Sequence, residues 1–326
     1  MGPHFDYLMD EIIKCPKNSK PYLKMGQHLL FEGYFSESLG FLKKAKKMGG
    51  ESFELDFLLG KAYLFLSCSE KSLNYFKKAL YKNPNHRETQ YIIDTLVEER
   101  HFTVQSLSPS VVKELFDGYA AQFESHLIKK LNYETPKKLV KYLLSQMEQE
   151  EAPLSILDLG CGTGLFAQEL KEMLTNSKIV GVDFSSKMLK EAVKKDLYQK
   201  LYEEDLFSYL DREKEKNTTY DLVAACDTVP YFGDLEKFFE KCSQVVGSRG
   251  AILFSFEALE DPKKDWRFFS NGRFKHGLEY VMSLAKKNDF RGEFKLETLR
   301  EEKGERVQGF FFLGRSIKIE KTDKSF

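Results

Sequence analysis

The segment that most restricts the fold is Ser155–Phe166, in which a short apolar run leads into three glycines that alternate with other residues. Gly160, Gly162 and Gly164 carry no side chain, so their backbone can take positive φ angles and come close to a ligand. The apolar run has the length of a buried strand, and an amphipathic segment follows the glycines. The sequence therefore predicts a strand, a tight loop and a helix whose positive N-terminal end faces the loop.

Short apolar runs continue to alternate with amphipathic segments after this loop. The further runs lie at 179–184, 220–227 and 250–257, and the amphipathic segments lie near 164–174, 186–195 and 234–245. Strands that alternate with helices predict a mostly parallel sheet with helices on both faces, an α/β Rossmann-like architecture. Near the C-terminus, KLETLR and RVQGFFFLG stand close together and predict a strand pair that ends the domain with an antiparallel strand.

The N-terminal part contains an internal repeat with a period of 34 residues. Similar residues stand 34 apart at Gly26 and Gly60, at Ser38 and Ser72, and at Ala45 and Ala79. Small residues let paired helices approach closely, and this period predicts tetratricopeptide-like helical hairpins. We expect two repeats, at about 20–50 and 54–84, with a half-repeat before them and a capping helix at about 87–99. A helical bundle without repeats is the alternative, because the tryptophan typical of these repeats is absent.

The first helix of each hairpin is expected to line a concave face. The candidates for this face are Tyr22, His28, Asp56 and Tyr63. Such a surface suits an extended peptide, so a protein partner bound through the repeats is one expectation. The alternatives are that the hairpins brace the second domain or mediate self-association.

The length of the chain favours two domains. A single hydrophobic core rarely grows beyond roughly 250–300 residues, and this chain has 326. The polar stretch 101–110 predicts a linker. We therefore predict an all-α tetratricopeptide-like domain at 1–104, followed by the α/β domain at 105–326.

Charge, cysteines and hydropathy exclude several classes of function. The 50 basic and 50 acidic side chains cancel, which argues against a general nucleic-acid binder because such proteins need a basic face. The five cysteines include no CxxC pair, so neither a disulfide framework nor a metal site is expected. No signal peptide and no apolar stretch of roughly 20 residues is evident. We expect a soluble, cytoplasmic protein that does not bind a membrane.

Four carboxylates accompany the predicted strands. Asp158 precedes the glycine loop, while Asp183, Asp205 and Asp227 stand at the ends of the second, third and fourth strands. Any one of them alone could be a structural carboxylate. In this order, with a G-x-G-x-G loop rather than the G-x-G-x-x-G of dinucleotide-binding domains, they resemble class I S-adenosylmethionine-dependent methyltransferases.

The resemblance implies a cofactor role for each of these positions. The glycines approach S-adenosylmethionine, Asp158 meets its ammonium group, Asp183 with Phe184 its ribose, Asp205 with Leu206 its adenine, and Asp227 its methionine part.

Further segments narrow the resemblance. FDGYAAQFESHLIKKLNYETP, before the first strand, is similar to the lead-in helix of ubiquinone-biosynthesis-like methyltransferases. AACDTVPYFGDL and LREEKGERVQGFFF, together with GRFKHGLEY, resemble a family of predicted tetratricopeptide-containing methyltransferases. The likeness runs from about Phe116 to Gly314. It implies that the lead-in helix covers the cofactor, so that Tyr119 touches the cofactor's carboxylate; ordinary packing is the alternative for Tyr119.

The sequence contains fewer indications of which residues bind and deprotonate the methyl acceptor. His276 is the candidate base, since an imidazole titrates near neutrality, and Arg273 could bind an acidic substrate group. We expect His276 to start a helix and to share one face of it with Arg273 and Tyr280. The alternative is that His276 caps the helix and Tyr280 packs in the core.

We therefore predict a methyltransferase that moves a methyl group from S-adenosylmethionine to an unidentified small-molecule or protein acceptor. Motifs for methylating nucleic-acid bases are absent, so nucleic acid is an unlikely partner: Asp227-Thr-Val-Pro-Tyr does not match the Asn/Asp-Pro-Pro-aromatic pattern. The alternative function is an adaptor, in which the repeats bind a partner and the second domain binds the cofactor with little catalysis.

Overall fold

The computed structural model describes residues 3–31, 34–66, 68–86, 89–90, 92–93, 96, 133–147, 155–269, 273–302 and 305–318. The chain forms two compact units, one made of 1–122 with 268–273 and the other of 123–267 with 274–326. The predicted linker, the 104/105 domain boundary and Tyr119 lie outside the described residues.

The first unit contains five described helices that pack as consecutive neighbours. They are α1 Pro3–Lys14, α2 Ser19–Phe31, α3 Phe35–Lys47, α4 Phe53–Phe65 and α5 Ser69–Lys82. Helix α2 packs on α3, and α4 packs on α5. The predicted N-terminal helical hairpins are therefore present.

The two hairpins repeat the same contacts 34 residues apart. The Ser38 hydroxyl donates to the Gly26 carbonyl at 2.6 Å, and the Ser72 hydroxyl donates to the Gly60 carbonyl at 2.9 Å. A Cβ atom at Gly26 would lie 2.6 Å from the Leu42 side chain, and the equivalent atom at Gly60 would lie 2.8 Å from the Phe76 ring. Small residues at this period thus allow the close helix packing that the sequence predicts.

Three of the four candidates for the concave face are buried, so the prediction that they line an accessible surface is wrong. Tyr22, Asp56 and Tyr63 are all less than 9% exposed. Asp56 lies under two lysines, since Lys46 and Lys82 each place Nζ 2.6 Å from one of its carboxylate oxygens. The repeat placed these residues on the correct helices, but the sequence could not show that side chains of adjacent helices cover them.

The second unit is built on a seven-stranded sheet with the order β3-β2-β1-β4-β5-β9-β8. Its strands are β1 Ser155–Leu159, β2 Lys178–Asp183, β3 Lys200–Glu203, β4 Tyr220–Ala225, β5 Val246–Glu257, β8 Phe290–Glu302 and β9 Glu305–Ser316. The first five pair in parallel, and β9 pairs antiparallel with both β5 and β8. The predicted mostly parallel sheet with a C-terminal antiparallel strand is confirmed. Strands β6 Trp266–Phe269 and β7 Arg273–His276 form a separate two-stranded sheet.

Helices cover both faces of the large sheet. They are α6 Thr135–Ser145, α7 Leu165–Met173, α8 Ser186–Lys194, α9 Leu206–Glu215, α10 Glu236–Val245 and α11 Leu278–Lys287, with a short 3₁₀ helix at Val229–Tyr231. Leu157 of β1 packs in a core with α9, α10 and α11, whereas the adjacent Ile156 packs in a second core with α6 and α7. Successive strand residues point to opposite faces, so the two cores lie on opposite sides of the sheet.

The strand order predicts a crevice at the carboxyl ends of the central strands. From β1 the chain runs outward through β2 and β3, and it then returns to pair β4 on the other side of β1. Ligands of open α/β sheets bind beyond the carboxyl ends of the strands at such a reversal. Among the described residues, no helix is long and apolar enough to span a bilayer, and no cluster of His, Cys, Asp and Glu has the make-up of a metal site.

Candidate functional site

The glycine loop follows β1 directly at the reversal of strand order. Its first two amides, of Gly160 and Cys161, donate to the Val182 carbonyl at 2.8 and 3.1 Å. Gly164 has φ +87° and caps the N-terminus of α7. The loop is therefore held to the end of β2, and the N-terminal end of α7 opens beside it.

The three predicted glycines differ in what surrounds them. All three have positive φ angles, of +69°, +54° and +87°. A Cβ atom at Gly160 would come within 2.6 Å of Thr228 Cγ2, and one at Gly164 would lie 3.1 Å from the Tyr198 ring. A Cβ atom at Gly162 would meet no described atom within 4 Å. Gly160 is thus required by packing, whereas no described residue fills the space beside Gly162, where a ligand can approach the backbone.

This difference predicts that two matched substitutions mainly affect different properties, stability in one case and ligand binding in the other. Gly160→Ala adds an overlap with Thr228 to the cost of about 1–2 kcal/mol for a left-handed alanine, so it should lower the unfolding temperature more than Gly162→Ala does. Gly162→Ala should keep most of the stability but weaken binding of S-adenosylmethionine, because its methyl group occupies the space beside the loop. Thermal unfolding and calorimetry of both variants would measure this. Equal losses of stability would contradict the different surroundings of the two glycines.

Asp183 joins the loop to the next helix. It ends β2, and its Oδ2 accepts a hydrogen bond from the Gly162 amide at 2.9 Å. Its Oδ1 accepts one from the Ser185 amide at 2.8 Å, just before α8. A carboxylate offers roughly four acceptor positions, so this side chain can hold the loop and still accept hydrogen bonds from a ribose. Phe184 follows it and is half-buried.

Asp158 lies beneath the loop and is almost fully buried. Burial raises the pKa of this carboxyl group to about 7; the hydrogen bond from Tyr198 opposes the rise and the nearby Asp183 adds to it. The Tyr198 hydroxyl donates to Asp158 Oδ2 at 2.7 Å. Asp158 therefore changes charge near neutral pH in the free protein. Sequence reasoning missed Tyr198, because it lies 40 residues from Asp158 in a turn without a motif.

The raised pKa of Asp158 predicts a pH-dependent cofactor affinity. A cationic ammonium group beside it favours the ionised form, so affinity should rise as the pH increases towards about 7 and then level off, until the α-amino group itself loses its proton near pH 8. Calorimetric titration of S-adenosylmethionine between pH 5.5 and 7.5 would measure this rise.

Two variants act as controls for this pH dependence. Asp158→Asn should remove it, and Tyr198→Phe, which removes the opposing hydrogen bond, should move it to higher pH. An affinity that does not change with pH in the unmodified protein would show that Asp158 stays clear of the ammonium group.

Asp205 combines a structural contact with a position beside the site. It is the N-cap of α9, where its Oδ1 accepts hydrogen bonds from the amides of Phe207 and Ser208 at 3.0 and 3.1 Å. Leu206 is buried as the first residue of α9. The structural role considered for this carboxylate is therefore present, and both of these amides bond to Oδ1.

Asp227 follows β4 with a φ of +58°. Its amide donates to the Ser255 hydroxyl at 2.7 Å, and its Oδ1 lies 3.9 Å from Arg300 Nη1. Arg300 Nη2 lies 2.6 Å from Oε1 of Glu257, which ends β5. Arg300 is 2% exposed and Glu257 is fully buried, so two carboxylates and one guanidinium meet at the carboxyl ends of the central strands.

Sequence reasoning did not identify Arg300 and Glu257. Arg300 stands in the charged run Leu299-Arg-Glu-Glu-Lys303, which has the composition of a solvated loop. In the structure Arg300 belongs to β8. The pairing of β8 with β9 places its side chain beside Glu257 of β5. Only the strand register could have shown that Arg300 is buried.

The three catalytic candidates do not share a helical face, and that prediction is wrong. Arg273 and His276 lie in β7, and only Tyr280 lies in α11, which begins at Leu278. Gly277 separates them with an extended backbone, and a Cβ atom there would overlap the Lys264 carbonyl. This close approach ends the strand and delays the start of the helix.

His276 is fully buried. Its Nε2 lies 2.8 Å from the Phe232 carbonyl oxygen and 3.1 Å from that of Gly233, so this nitrogen carries the proton and donates it. Burial lowers the pKa of His276 to about 4, against the opposing effect of these two hydrogen bonds, and the ring is neutral at physiological pH. Its Nδ1 has no hydrogen-bond partner among the described residues.

The Tyr280 side chain of α11 contacts the segment that precedes α10. Its hydroxyl accepts from the Leu235 amide at 2.9 Å and donates to Asp234 Oδ1 at 3.0 Å. Both contacts fix the segment that leads into α10.

Comparison with known proteins agrees with this geometry. Residues 157–252 match the family described as methyltransferase domain. The malonyl-[acyl-carrier protein] O-methyltransferase of Bacillus cytotoxicus is 31% identical over 155 residues, which are 46% of this chain and 53% of that protein. The enzyme of the same name from Acetivibrio thermocellus is 33% identical over 121 residues, 36% of this chain and 41% of that protein. The chain thus spans about half the length of the curated relatives that it matches.

Solved structures of methyltransferases are also similar to this chain. Magnesium protoporphyrin IX methyltransferase from Synechocystis, with bound S-adenosylmethionine, has a TM-score of 0.47 at 16% identity and covers 66% of this chain and 100% of its own. The 1,6-didemethyltoxoflavin-N1-methyltransferase of Burkholderia thailandensis has a TM-score of 0.49 at 11% identity, over 66% of this chain and 93% of its own. The prediction of a methyltransferase domain is confirmed by the family match over residues 157–252.

Proposed function

We propose that this protein transfers the methyl group of S-adenosylmethionine to an acceptor bound at the carboxyl ends of β4 and β5. The observation that carries the proposal is the pair of hydrogen bonds that Asp183 accepts. Its carboxylate binds the amide of Gly162 in the glycine loop and the amide of Ser185 just before α8, at the reversal of strand order. When bound, the cofactor supplies a methyl group on a positively charged sulfur. The residues present fit it, because no described atom would lie within 4 Å of a Cβ atom at Gly162 and carboxylates surround the crevice.

In this proposal each cofactor residue has a separate role. Asp183 and Phe184 hold the ribose, Asp205 and Leu206 flank the adenine, Asp158 meets the ammonium group, and Asp227 orients the methionine part beside the three loop glycines. Tyr119 belongs to the same proposal as a contact of the cofactor's carboxylate.

The chain's own contribution to the rate is mainly positioning. Methyl transfer to an acceptor that is already nucleophilic needs no covalent help from the protein, and orientation with exclusion of water lowers much of the barrier. The curated relatives are named for malonyl-[acyl-carrier protein] as the acceptor, and a carboxylate acceptor has no proton to lose. We propose a carboxylate-bearing acceptor as the first to test, with Arg273 as its candidate partner.

The proposed role of His276 as a base can be separated from a structural one. His276→Gln keeps an N–H donor near the position of Nε2 but removes the basic nitrogen. A base would make this variant about 10²–10⁴-fold slower with unchanged cofactor affinity. Because the ring is neutral, buried and bonded to two carbonyls, we expect His276→Gln to keep turnover within about tenfold.

His276→Ala is the matched second variant. We expect it to lower the unfolding temperature, because the two carbonyls lose their buried donor. Initial rates and thermal unfolding of both variants would measure these effects, and a slow but stable Gln variant would establish the base.

The helical unit is proposed to be a pair of tetratricopeptide repeats within a domain at 1–104, ahead of a catalytic domain at 105–326. The equivalent Ser38–Gly26 and Ser72–Gly60 hydrogen bonds support this interpretation. We also propose that the chain belongs to the tetratricopeptide-containing, ubiquinone-biosynthesis-like methyltransferases. A further part of the proposal is that the repeats bind a protein partner. Five cysteines outside any disulfide support a reducing, cytoplasmic setting.

A methyl-transfer assay tests the proposed function. The full chain would be incubated with S-adenosylmethionine labelled in its methyl group, first with malonyl-carrier protein and then with cell lysate separated into protein and small-molecule fractions. Time-dependent label in one acceptor is the expected result. Cofactor binding without label in either fraction would instead favour the adaptor function.

A further inference from the structure

Four lysines surround a pair of stacked tyrosines on the helical unit. Tyr63 of α4 and Tyr75 of α5 stack with ring centroids 5.5 Å apart. Lys43 and Lys71 place Nζ 5.5 and 5.8 Å from the centroid of Tyr63, and Lys46 and Lys78 each place Nζ 5.0 Å from that of Tyr75. We refer to these four lysines, with Lys77 and Lys82, as the lysine face.

A groove of about 470 Å³ continues the lysine face. Lys46, Lys77, Lys78 and Lys82 line it, together with Tyr81, which is 88% exposed. The groove also contains the acidic side chains Glu51 and Asp56. Four cations and two anions leave it with a net positive charge.

The charges of the lysine face are only partly neutralised. Lys46 and Lys82 share the buried carboxylate of Asp56; burial would raise the pKa of Asp56, but the hydrogen bonds from these two lysines lower it below its usual value, so it is charged. Lys43, Lys71, Lys77 and Lys78 form no ion pair with a described residue. Like charges held this close repel one another, and an anionic partner would relieve that repulsion.

We infer that the lysine face binds an acidic segment of a partner polypeptide. Lysines act as compact point charges that suit carboxylates at varied angles, and the exposed Tyr81 adds apolar contact beside them. Lys43 and Lys77 stand one repeat period apart on α3 and α5, so the face offers cations along two successive hairpins. The inference deepens the proposed partner binding through the repeats and does not depend on methyl transfer.

The aromatic rings of the lysine face favour a polypeptide over a nucleic acid. Single-stranded nucleic acids bind by stacking successive bases on several exposed aromatic rings, and among the described residues the groove offers one exposed ring, Tyr81. Tyr63 is 6% exposed, and its ring is engaged by Tyr75 and by two lysines. Its surface therefore serves to hold the lysines in place.

Charge reversal on the face provides the test. Binding of a fluorescein-labelled decaglutamate peptide to the full chain would be followed by fluorescence anisotropy at about 50 mM salt, where screening is moderate. Lys43→Glu with Lys77→Glu leaves the Asp56 pair intact and should weaken binding at least about tenfold. The matched control is Lys190→Glu with Lys286→Glu, two exposed lysines of the second unit, which should bind within about twofold of the unmodified chain.

Three results would overturn the inference. The first is no measurable binding of the peptide to the unmodified chain, and the second is an equal loss in the control variant. The third is tighter binding of a decanucleotide, or of vesicles containing phosphatidylserine, than of the peptide. S-adenosylmethionine affinity is measured in the same variants: an unchanged value with lost peptide binding places the effect on the lysine face, and a chain that binds peptide without cofactor would refute the proposed function alone.

Discussion

Replacing Asp183 by asparagine is expected to weaken S-adenosylmethionine binding about ten- to a hundredfold. In the present structure both oxygens of Asp183 accept backbone hydrogen bonds, from Gly162 and from Ser185. An asparagine can match only one of these donors, and its amide group then faces the other. In the proposed site the ribose hydroxyls of the cofactor also lose their charged acceptor, which costs about 1–3 kcal/mol, and each 1.4 kcal/mol is about tenfold in affinity.

The matched control for this prediction is Asp196→Asn. Asp196 is exposed, and its φ of 52° is one that asparagine adopts readily. It removes the same charge from the same unit without touching the loop, so its affinity should stay within about twofold of the unmodified chain. Calorimetry gives the affinities, and thermal unfolding shows that both variants are folded. An unchanged affinity in Asp183→Asn would remove Asp183 from the cofactor site.

Arg300→Met is expected to lower the free energy of unfolding of the second unit by about 3–5 kcal/mol, the usual cost of removing one partner from a buried ion pair. Glu257 is fully buried, and its Oε1 lies 2.6 Å from Arg300. The substitution leaves this carboxylate in the core without the guanidinium. Adding Glu257→Gln removes the second charge and should restore a large part of the loss.

The sequence contains a single tryptophan, Trp266, which belongs to the second unit. Its ring packs against Phe274 of the same unit, so its fluorescence during urea unfolding follows this unit. Arg291→Met is the control, since Arg291 has a side chain that is 74% exposed, and it should cost less than about 0.5 kcal/mol. A double variant no more stable than Arg300→Met would show that the buried charge of Glu257 is not the cause.

The local pattern of apolar and polar residues was sufficient to predict the helix and the strand around the glycine loop. The predicted helix at 186–195 is observed as Ser186–Lys194, and the predicted run at 179–184 as the strand Lys178–Asp183. Strand ends and helix starts are encoded by neighbouring residues, which is why Asp183 could be placed at the end of a strand without a structure. Asp205, expected where the third strand ends, is instead the N-cap of α9, two residues after β3. The roles of these carboxylates toward the cofactor remain predictions.

Features set by distant pairing could not be predicted in the same way. Whether Arg300 is buried depends on the register of β8 with β9, and the sheltering of Asp56 depends on Lys46 and Lys82 from two other helices. The spacing around His276 is compatible with a helix, but its backbone pairs with that of Ala258 and Leu259, and His276 belongs to β7. In each case a contact far away in the sequence decides the environment of the residue.

The central claim is that the glycine loop and Asp183 form a site for S-adenosylmethionine, and calorimetric titration of the full chain tests it most directly. The chain would be titrated separately with S-adenosylmethionine, with its demethylated product and with NAD, each at about pH 7.5, above the pKa of Asp158. We predict saturable binding of the first two at a single site and no binding of NAD. Binding of NAD, or no heat change with S-adenosylmethionine while the protein is folded, would contradict the account.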